Sequence, residues 1–288
     1  MKKCLSCNEY FVSDDWNCPS CHWKPVFKNG FPLFAPEYAA VGSGFDDEFF
    51  PYLFDIESSN FWFIARNKLI LDLIRKYFPK FENYLEVGCG TGFVLNSVAA
   101  TFPKAYISGS DLSYMGLSYA ARRIQRGSLI QMDAGNIPFH EEFDLIGSFD
   151  VLEHLDDDMS ALNGFFRASA PGGGLIITVP QNAWLWSDSD DVSCHVRRYA
   201  RQEILNKLQQ AGYDILCVTS FVFFLLPLMM LSRLKKGRSK EEVLSDLKLN
   251  PVINQFLSIV MSVERTFIKY GVTFPTGGSL IVAARKKS

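Results

Sequence analysis

The sequence predicts an α/β protein: a doubly wound, mostly parallel sheet with helices on both faces, preceded by a small cysteine-rich module. Three observations carry this reading. From Tyr84 onward, short apolar runs alternate with helical patterns, the order that builds a parallel sheet. The stretch "YLEVGCGTGFVLNSV", residues 84–98, is a strand running through three glycines into a helix, which brings backbone N–H groups and a helix N-terminus up to a small molecule. Cys4, Cys7, Cys18 and Cys21 stand close together while Cys89, Cys194 and Cys217 are scattered, which is not a secreted disulfide framework.

The chain has 288 residues, 48% of them hydrophobic, long enough for one large core with appendages. Its net charge of −2 gives no bulk attraction to polyphosphate, and the first sixty residues hold nine acids against four bases. A basic nucleic-acid arm is not visible there. Met1-Lys2-Lys3 runs straight into Cys4, with no apolar segment of the signal-peptide kind. A cytoplasmic location is the expectation.

Residues 1–24 are read as a zinc-ribbon-like module. "CLSCNEYFVSDDWNCPSC" is C-x2-C, ten residues, then C-x2-C, and each pair can wrap a turn that aims two thiolates at one tetrahedral ion. Four sulfurs suit structural zinc. So small a module buries little, so the metal supplies much of its folding free energy. His22 could serve in place of a thiol, but Cys21 is better placed. A closed four-thiolate site leaves no position for substrate, so its job is structural or partner-facing.

Residues 25–60 follow as a linker and aromatic lead-in. Pro25, Gly30, Pro32, Pro36, Gly42 and Gly44 suggest extended chain, and residues 45–63 then hold eight aromatics. In "NFWFIARNKLILDLIRKYF", Phe61, Ile64, Leu69, Leu73 and Tyr77 sit at near-helical spacing, a helix leading into the domain at 61–288. Phe61, Trp62 and Phe63 are either core packing or a wall of the ligand pocket.

After Tyr84, "AYISGSD" reads as a strand, Tyr114 to Arg126 as a helix, and "SLIQMDA" as a strand. "FDLIGSFDVLEHL" is a strand opening into a loop, and "GGGLIITVP" is the fifth strand. Ligands then belong at the carboxyl ends of the strands. A dinucleotide is disfavoured, because Phe93 occupies the third glycine position of G-x-G-x-x-G. Glu86, two residues before Gly88, would repel a pyrophosphate but attract an ammonium or sulfonium. Asp111 can accept both hydroxyls of a ribose, and Asp133 an adenine amino group. Each acid alone could equally be a loop acid or helix cap; adenosine joined to a cationic amino acid fits all three.

At these residues the sequence resembles the class I S-adenosylmethionine-dependent methyltransferases, over 60–220 and again at "GGSLIVAARKK". "LEVGCGTG" is similar to the family's first motif, "GSDLS" to its ribose-binding turn, "MDAGNIPF" to the adenine-binding turn and "FDVLEHL" to the fourth-strand motif. "NFWFIARN" is similar to a segment before the core in one subgroup, where aromatics and an arginine help close the cofactor site. The resemblance implies a seven-stranded Rossmann-like sheet with S-adenosylmethionine as cofactor and S-adenosylhomocysteine as product. It places Phe63, Arg66, Glu86, Gly88, Cys89, Gly90, Gly92, Asp111, Leu112, Ser113, Asp133, Ala134, Phe149, Val151 and His154 at the cofactor, with Arg66 at its carboxylate.

Methyl transfer from a sulfonium is an in-line displacement, so the protein mostly aligns the reacting atoms. A hydroxyl or ammonium acceptor must still lose a proton. His154, just past the fourth strand, is the leading base candidate, with His195 a second; a hydrogen-bonded structural role for His154 is equally open. The loop after the fifth strand offers Trp184, Trp186, His195, Arg197, Arg198 and Tyr199 as the substrate-lining set. For Arg197 and Arg198 the alternative is a solvated start to the helix at 200–211.

"ILCVTSFVFFLLPLMML", Ile215 to Leu231, is seventeen residues without a charge, followed by five bases in eight positions from Arg233. A spanning helix needs about twenty apolar residues, and 215–221 is claimed as the sixth strand. The remainder, with Ile253, Phe256, Leu257, Val260, Val263 and Phe267 on one stripe, forms a helical apolar and basic insertion at about 223–270. It suits the plane of an anionic membrane, with Arg233, Lys235, Lys236 and Arg238 at the headgroups, or packing within the protein or a homodimer.

The leading function is a methyltransferase on a small-molecule acceptor, lipid-linked, saccharide or quinone-like, near the inner face of a membrane. A zinc-ribbon RNA methyltransferase is the alternative, against which the acidic N-terminus argues. A cofactor-binding partner protein without turnover is the third.

Overall fold

In a computed structural model, which describes residues 1–13, 15–38, 46–233 and 237–287, eleven strands fall into two sheets. The smaller pairs β1 (Lys2–Lys3) with β2 (Tyr10–Phe11). In the larger sheet are β3 (Val26–Lys28), β4 (Phe31–Leu33), β5 (Asn83–Val87), β6 (Tyr106–Asp111), β7 (Ser128–Gln131), β8 (Phe143–Phe149), β9 (Ser169–Pro180), β10 (Tyr213–Phe221) and β11 (Ser279–Lys286), in the order β10-β11-β9-β8-β5-β6-β7-β4-β3. From β5 to β9 all neighbours are parallel. The C-terminal β11 slots antiparallel between β9 and β10. Strands β5 to β11 are thus the expected seven.

Alternate residues of each strand serve opposite layers, as the pleat requires. Tyr84, Ile176, Ile281 and Ala283 join one core with Leu69, Ile70, Leu95 and Leu117. Leu85, Leu175, Ile177, Leu280 and Val282 join the other, with Leu162, Phe165, Ile204 and Leu208. Among the described residues ten α-helices flank the strands: α1 (Phe49–Ile56), α2 (Phe61–Tyr77), α3 (Phe93–Thr101), α4 (Tyr114–Arg123), α5 (Asp158–Ala168), α6 (Asp188–Val192), α7 (Arg201–Gln210), α8 (Leu226–Ser232), α9 (Lys240–Ser245) and α10 (Pro251–Lys269). Residues of α2, α3, α4 and α10 lie in the first core, and those of α5 and α7 in the second. Because the chain goes from β5 outward to β6 and returns to β8 on the other side, a crevice opens at the carboxyl ends of β5 and β8.

The N-terminal module folds as two cysteine turns. Asn8 N donates to Cys4 O at 3.0 Å and His22 N to Cys18 O at 2.9 Å, and Asn8 (φ 61°) and His22 (φ 59°) sit in the left-handed region just past each pair. His22 therefore closes a turn, and Cys21 supplies the fourth sulfur. The Cys4–Cys21 and Cys7–Cys18 sulfurs are 3.6 Å apart, close to the ~3.8 Å edge of a tetrahedron with Zn–S bonds of about 2.3 Å. The donor set fits zinc. The module rests on the larger domain through Lys3 N to Pro138 O (3.0 Å) and through Trp16, edge-on to Phe34 and Phe139.

Three findings differ from the sequence reading. The stretch expected to be an extended linker carries the β3–β4 hairpin, which extends the sheet to nine strands. It is anchored by the buried amide of Gln131, which accepts from Ala35 N at 3.0 Å and donates to Ala35 O at 2.7 Å. The stripe on α10 is divided: Leu257 and Val260 pack on the core with Met261 and Ile268, while Ile253, Phe256, Val263 and Phe267 are exposed. Of the four bases expected at headgroups, Arg233 turns inward to Ser187 and Arg238 pairs with Asp188 and Asp246. Lys235 and Lys236 lie outside the described residues. No described helix is long and apolar enough to cross a membrane.

Cobalt exchanged into the full chain should occupy one thiolate site, seen as sulfur-to-cobalt charge transfer, and Cys4→Ser or Cys18→Ser should abolish that band. Circular dichroism of both variants should retain the signal of the larger domain. A wild-type chain without the band would remove the metal from this module.

Candidate functional site

The glycine loop leaves β5 at Val87 and turns twice before α3. Gly88 N and Cys89 N both donate to Ser110 O at 2.8 Å, fastening the loop to the end of β6. Gly88 (φ 76°) has no room for a side chain, since a Cβ there would lie 2.2 Å from Val151 Cγ2. Gly92, also at φ 76°, caps α3 in the left-handed region. Thr91 donates to the Glu57 carboxylate, and Arg123 Nη1 donates to both, at 2.5 Å and 2.7 Å. The ring of Phe50 lies over the loop, 2.9 Å from where a Cβ on Gly116 would be. Thus α1, read from sequence only as part of an aromatic lead-in, covers the glycine loop, and Glu57 and Arg123 hold it there.

Asp111 ends β6, and its two oxygens accept from Gly90 N and Ser113 N, each at 2.8 Å. Burial pushes its carboxyl up to about 6, against the pull of these two N–H donors. Ser113 caps α4, and its hydroxyl donates to Asp47 at 2.7 Å. Leu112 is half-buried and its carbonyl accepts from Gln131. After β7, Asp133 is half-buried and accepts from Gly135 N at 2.8 Å, beside buried Ala134. Cys89 and Phe149 are buried.

Glu86 is buried, takes a bond from Tyr84 OH at 2.9 Å, and is pushed up to about 8 by burial. Its charge is therefore costly until a cation arrives. Arg66 stands nearby on α2, ion-paired with Asp150 and 4.5 Å over the Trp62 ring, while Phe63 is buried beside it. Burial lowers the Arg66 guanidinium to about 10. Its Nε is buried without a hydrogen-bond partner among the described residues, so a ligand carboxylate could satisfy it. Asp150 (φ 57°) opens the loop after β8.

Beyond Asp150, that loop brings Glu153 and His154 to His195 from the loop after β9. The two imidazoles meet edge-on at 4.9 Å, and His195 Nε2 lies 4.0 Å from Glu153 Oε1. His195 Nδ1 is 2.9 Å from Asp190 Oδ1. Burial opposes the charge on Asp190, but His195 and Arg198 outweigh it and hold the carboxyl at about 2; an ionised Asp190 accepts, so Nδ1 donates. Burial, and then the charge of His195, lowers His154 to about 4.

The other expected substrate-lining residues divide. Trp184 and Trp186 are exposed, and Trp186 Nε1 donates to Asp191 at 2.9 Å. Arg197 bonds Asp158 and the Asp156 carbonyl. Arg198 is buried against Asp190 at 2.7 Å, and Tyr199 is fully buried with its hydroxyl on Asp158 at 2.7 Å. Tyr199 fastens the loop to α5 and presents no free face. Glu153, Asp190 and Glu57 were not singled out from sequence, and only their burial marks them. A separate cavity of about 580 Å³ opens near Asn83, Tyr106 and Ser128, at the amino ends of β5, β6 and β7. It has no glycine loop or helix N-terminus of the site just described.

The "Methyltransferase domain" family matches residues 62–218, more than half of the chain. The chain is similar to a malonyl-[acyl-carrier protein] O-methyltransferase of Priestia megaterium, 28% identical over 114 residues, which cover 39% of this chain and 42% of the relative. It spans less than half of that relative's length. A ubiquinone biosynthesis O-methyltransferase of Salmonella arizonae is 23% identical over 182 residues, 61% of this chain and 69% of the relative. A phosphoethanolamine N-methyltransferase of Haemonchus contortus, solved with S-adenosyl-L-methionine, shares the fold at a TM-score of 0.57 and 20% identity, covering 91% of this chain and 62% of that one.

Two outcomes test the carboxylates. Asp111→Ala should weaken S-adenosylmethionine binding by about 2–4 kcal/mol, the worth of charge-assisted bonds to two hydroxyls; unchanged affinity by calorimetry would remove Asp111 from the site. For Glu86, the unfolded chain ionises near 4.5 while the folded one keeps the proton to about 8, so the ligand-free fold loses stability as pH rises through that window. Denaturant unfolding of Glu86→Gln should show a flatter pH dependence between those limits.

Proposed function

This chain belongs to the methyltransferase domain family, and from that premise we propose that it transfers a methyl group from S-adenosylmethionine to a small, apolar acceptor met at a membrane surface. One observation carries the first half: the glycine loop, Glu86, Asp111, Asp133 and the Glu153–His154–His195 group all stand at the carboxyl ends of neighbouring strands. When bound, the cofactor supplies a methyl group already activated by the sulfonium. Asp111 would accept the ribose hydroxyls and Asp133 the adenine amino group. Glu86 would face the cationic end, and Arg66 Nε the carboxylate. Phe50 would close over the loop and exclude water.

With the methyl group fixed, the remaining task is to align an acceptor atom and take its proton. The loops after β8 and β9 supply the polar groups for that. His195, tied at Nδ1 by Asp190, presents Nε2 towards Glu153, and neutral His154 lies beside it. His195 is the better oriented of the two imidazoles.

The apolar acceptor is supported by the insertion. On α10, Val252, Ile253, Phe256, Ile259, Val263 and Phe267 are exposed along one side, and Leu228, Met230 and Leu231 are exposed on α8. Large contiguous apolar surface marks an interaction site. The ubiquinone biosynthesis relative is in keeping with such an acceptor. Since Arg233 and Arg238 have partners inside the protein, attachment should rest on the apolar side chains more than on basic residues.

Incubating the protein with methyl-labelled cofactor and separated lipid, metabolite, RNA and protein fractions should label a species in the lipid fraction; label in RNA or protein alone would overturn the reading. In flotation with liposomes, wild type should rise with the vesicles, and Phe256→Asp should reduce this more than Arg233→Gln does. A dimer in sedimentation that fails to float would assign the surface to self-association.

A further inference from the structure

Glu153 is the least satisfied polar side chain near the site: it is 0% exposed, and neither carboxylate oxygen has a hydrogen-bond partner among the described residues. Burying a carboxylate that way is costly unless a cation faces it. Arg66 and Arg198 ease that cost from a distance, but their ion pairs go to Asp150 and Asp190. What does face Glu153 is a pair of imidazoles. Ligand atoms of Glu153, His154 and His195 all lie within 4.8 Å of one another. Ligands about 2.1 Å from a shared ion stand roughly 3.0–3.4 Å apart, so a contraction of up to about 1.5 Å would close the three around one.

The support behind His195 has the form a metal ligand requires. Its Nδ1 is held by Asp190, leaving Nε2 towards Glu153, and Asp190 is itself fixed by Arg198 Nε at 2.7 Å and Ser187 N at 2.9 Å. A carboxylate on the far nitrogen fixes the tautomer and raises the basicity of a ligating histidine.

We propose that Glu153, His154 and His195 bind one divalent cation, and that its open positions take two adjacent oxygens of the acceptor, as in a catechol or an enediol on an apolar body. Two nitrogens and one oxygen suit Zn²⁺, Co²⁺, Mn²⁺ or Fe²⁺ better than Mg²⁺ or Ca²⁺. The choice of acceptor rests on the methyl-transfer reading; the ion site does not. With both imidazoles on the ion, the ion takes the place of a histidine base: it orients the acceptor and makes its hydroxyl more acidic. The oxygen forms a bond to the methyl carbon, the C–S bond breaks with its electron pair left on sulfur, and the hydroxyl proton passes to solvent.

The test uses the full chain, stripped with a chelator and reloaded with Co²⁺. Two ions per chain are expected, one with sulfur-to-cobalt charge transfer from the cysteine module and one with visible bands alone. Glu153→Gln and His195→Ala should each remove the second ion, leave the charge-transfer band in place and keep the wild-type circular dichroism of the larger domain, which reports that the domain is folded. Asp190→Asn should weaken the second ion about tenfold or more. Cys4→Ser should remove only the thiolate ion. Adding pyrocatechol should shift the visible bands of the second ion; no shift would overturn the chelating acceptor. A single cobalt in wild type at saturation, or a second one persisting in Glu153→Gln, would overturn the site. Calorimetry with S-adenosylmethionine on the same samples separates the readings: one cobalt with cofactor binding refutes only the ion, while two cobalts without cofactor binding refute only methyl transfer.

Discussion

The site depends on a close approach between two loops. Val151 Cγ2 fills the space where a side chain on Gly88 would be, so the loops after β5 and β8 touch backbone to side chain at the point where the strand order reverses. Everything reactive is placed by that contact. One residue before Val151, Asp150 turns back to Arg66; two residues after it, Glu153 faces His195. On the other side, Gly88 and its neighbour Cys89 hang on Ser110 O, and Asp111 reaches back to Gly90 N. A side chain at residue 88 would push the two loops apart.

A second feature is the number of carboxyl groups buried around this crevice: Glu57, Glu86, Glu153, Asp158 and Asp190. They are not equivalent. Glu57 has Arg123 and Thr91, Asp158 has Lys207 and Tyr199, and Asp190 has Arg198 and His195. Removing one partner of such a set leaves a buried charge unmatched, which costs more than the pair contributes. Those three hold the framework. Glu86 and Glu153 instead are pushed up to about 8 by burial, a cost to the ligand-free fold that a bound cation would relieve. Glu57, Asp158 and Asp190 thus have a bonded counter-charge, whereas Glu86 and Glu153 feel Arg66 only from a distance.

Much of the fold was legible because strand and helix periods differ and the motifs fall at strand ends. The strands β5 to β11 follow the alternation read from Tyr84 onward. The β3–β4 hairpin was not legible: three-residue strands, one containing Pro32, carry no period, and their place is decided by one glutamine, Gln131, nearly a hundred residues later. Within the site, Glu86, the glycine loop, Asp111 and Asp133 lie at the ends of neighbouring strands, where the alternation places them. On the acceptor side, sequence treats Arg197, Arg198 and Tyr199 alike, whereas burial makes Arg198 and Tyr199 part of the scaffold. Glu153 shows the converse. In "VLEHL" it resembles any polar residue at the start of a helix, and only the fold brings it to His195 from another loop.

The lead-in and the insertion meet over the same mouth, and their contacts are graded. Deep in the contact, Glu57 and Arg123 tie α1 to the glycine loop and α4, with Arg123 Nη2 also on Phe54 O at 2.5 Å. Farther out, Asn60 donates to Leu247 O at 2.8 Å and Asn254 accepts from Phe61 N at 2.8 Å. At the rim, Lys240 pairs with Asp46 and Glu48, exposed groups whose attraction water and salt screen. Glu57 and Arg123 thus keep Phe50 over the glycine loop through buried contacts, while the insertion meets the lead-in through groups nearer to solvent, so the cover is tied most firmly at its inner end.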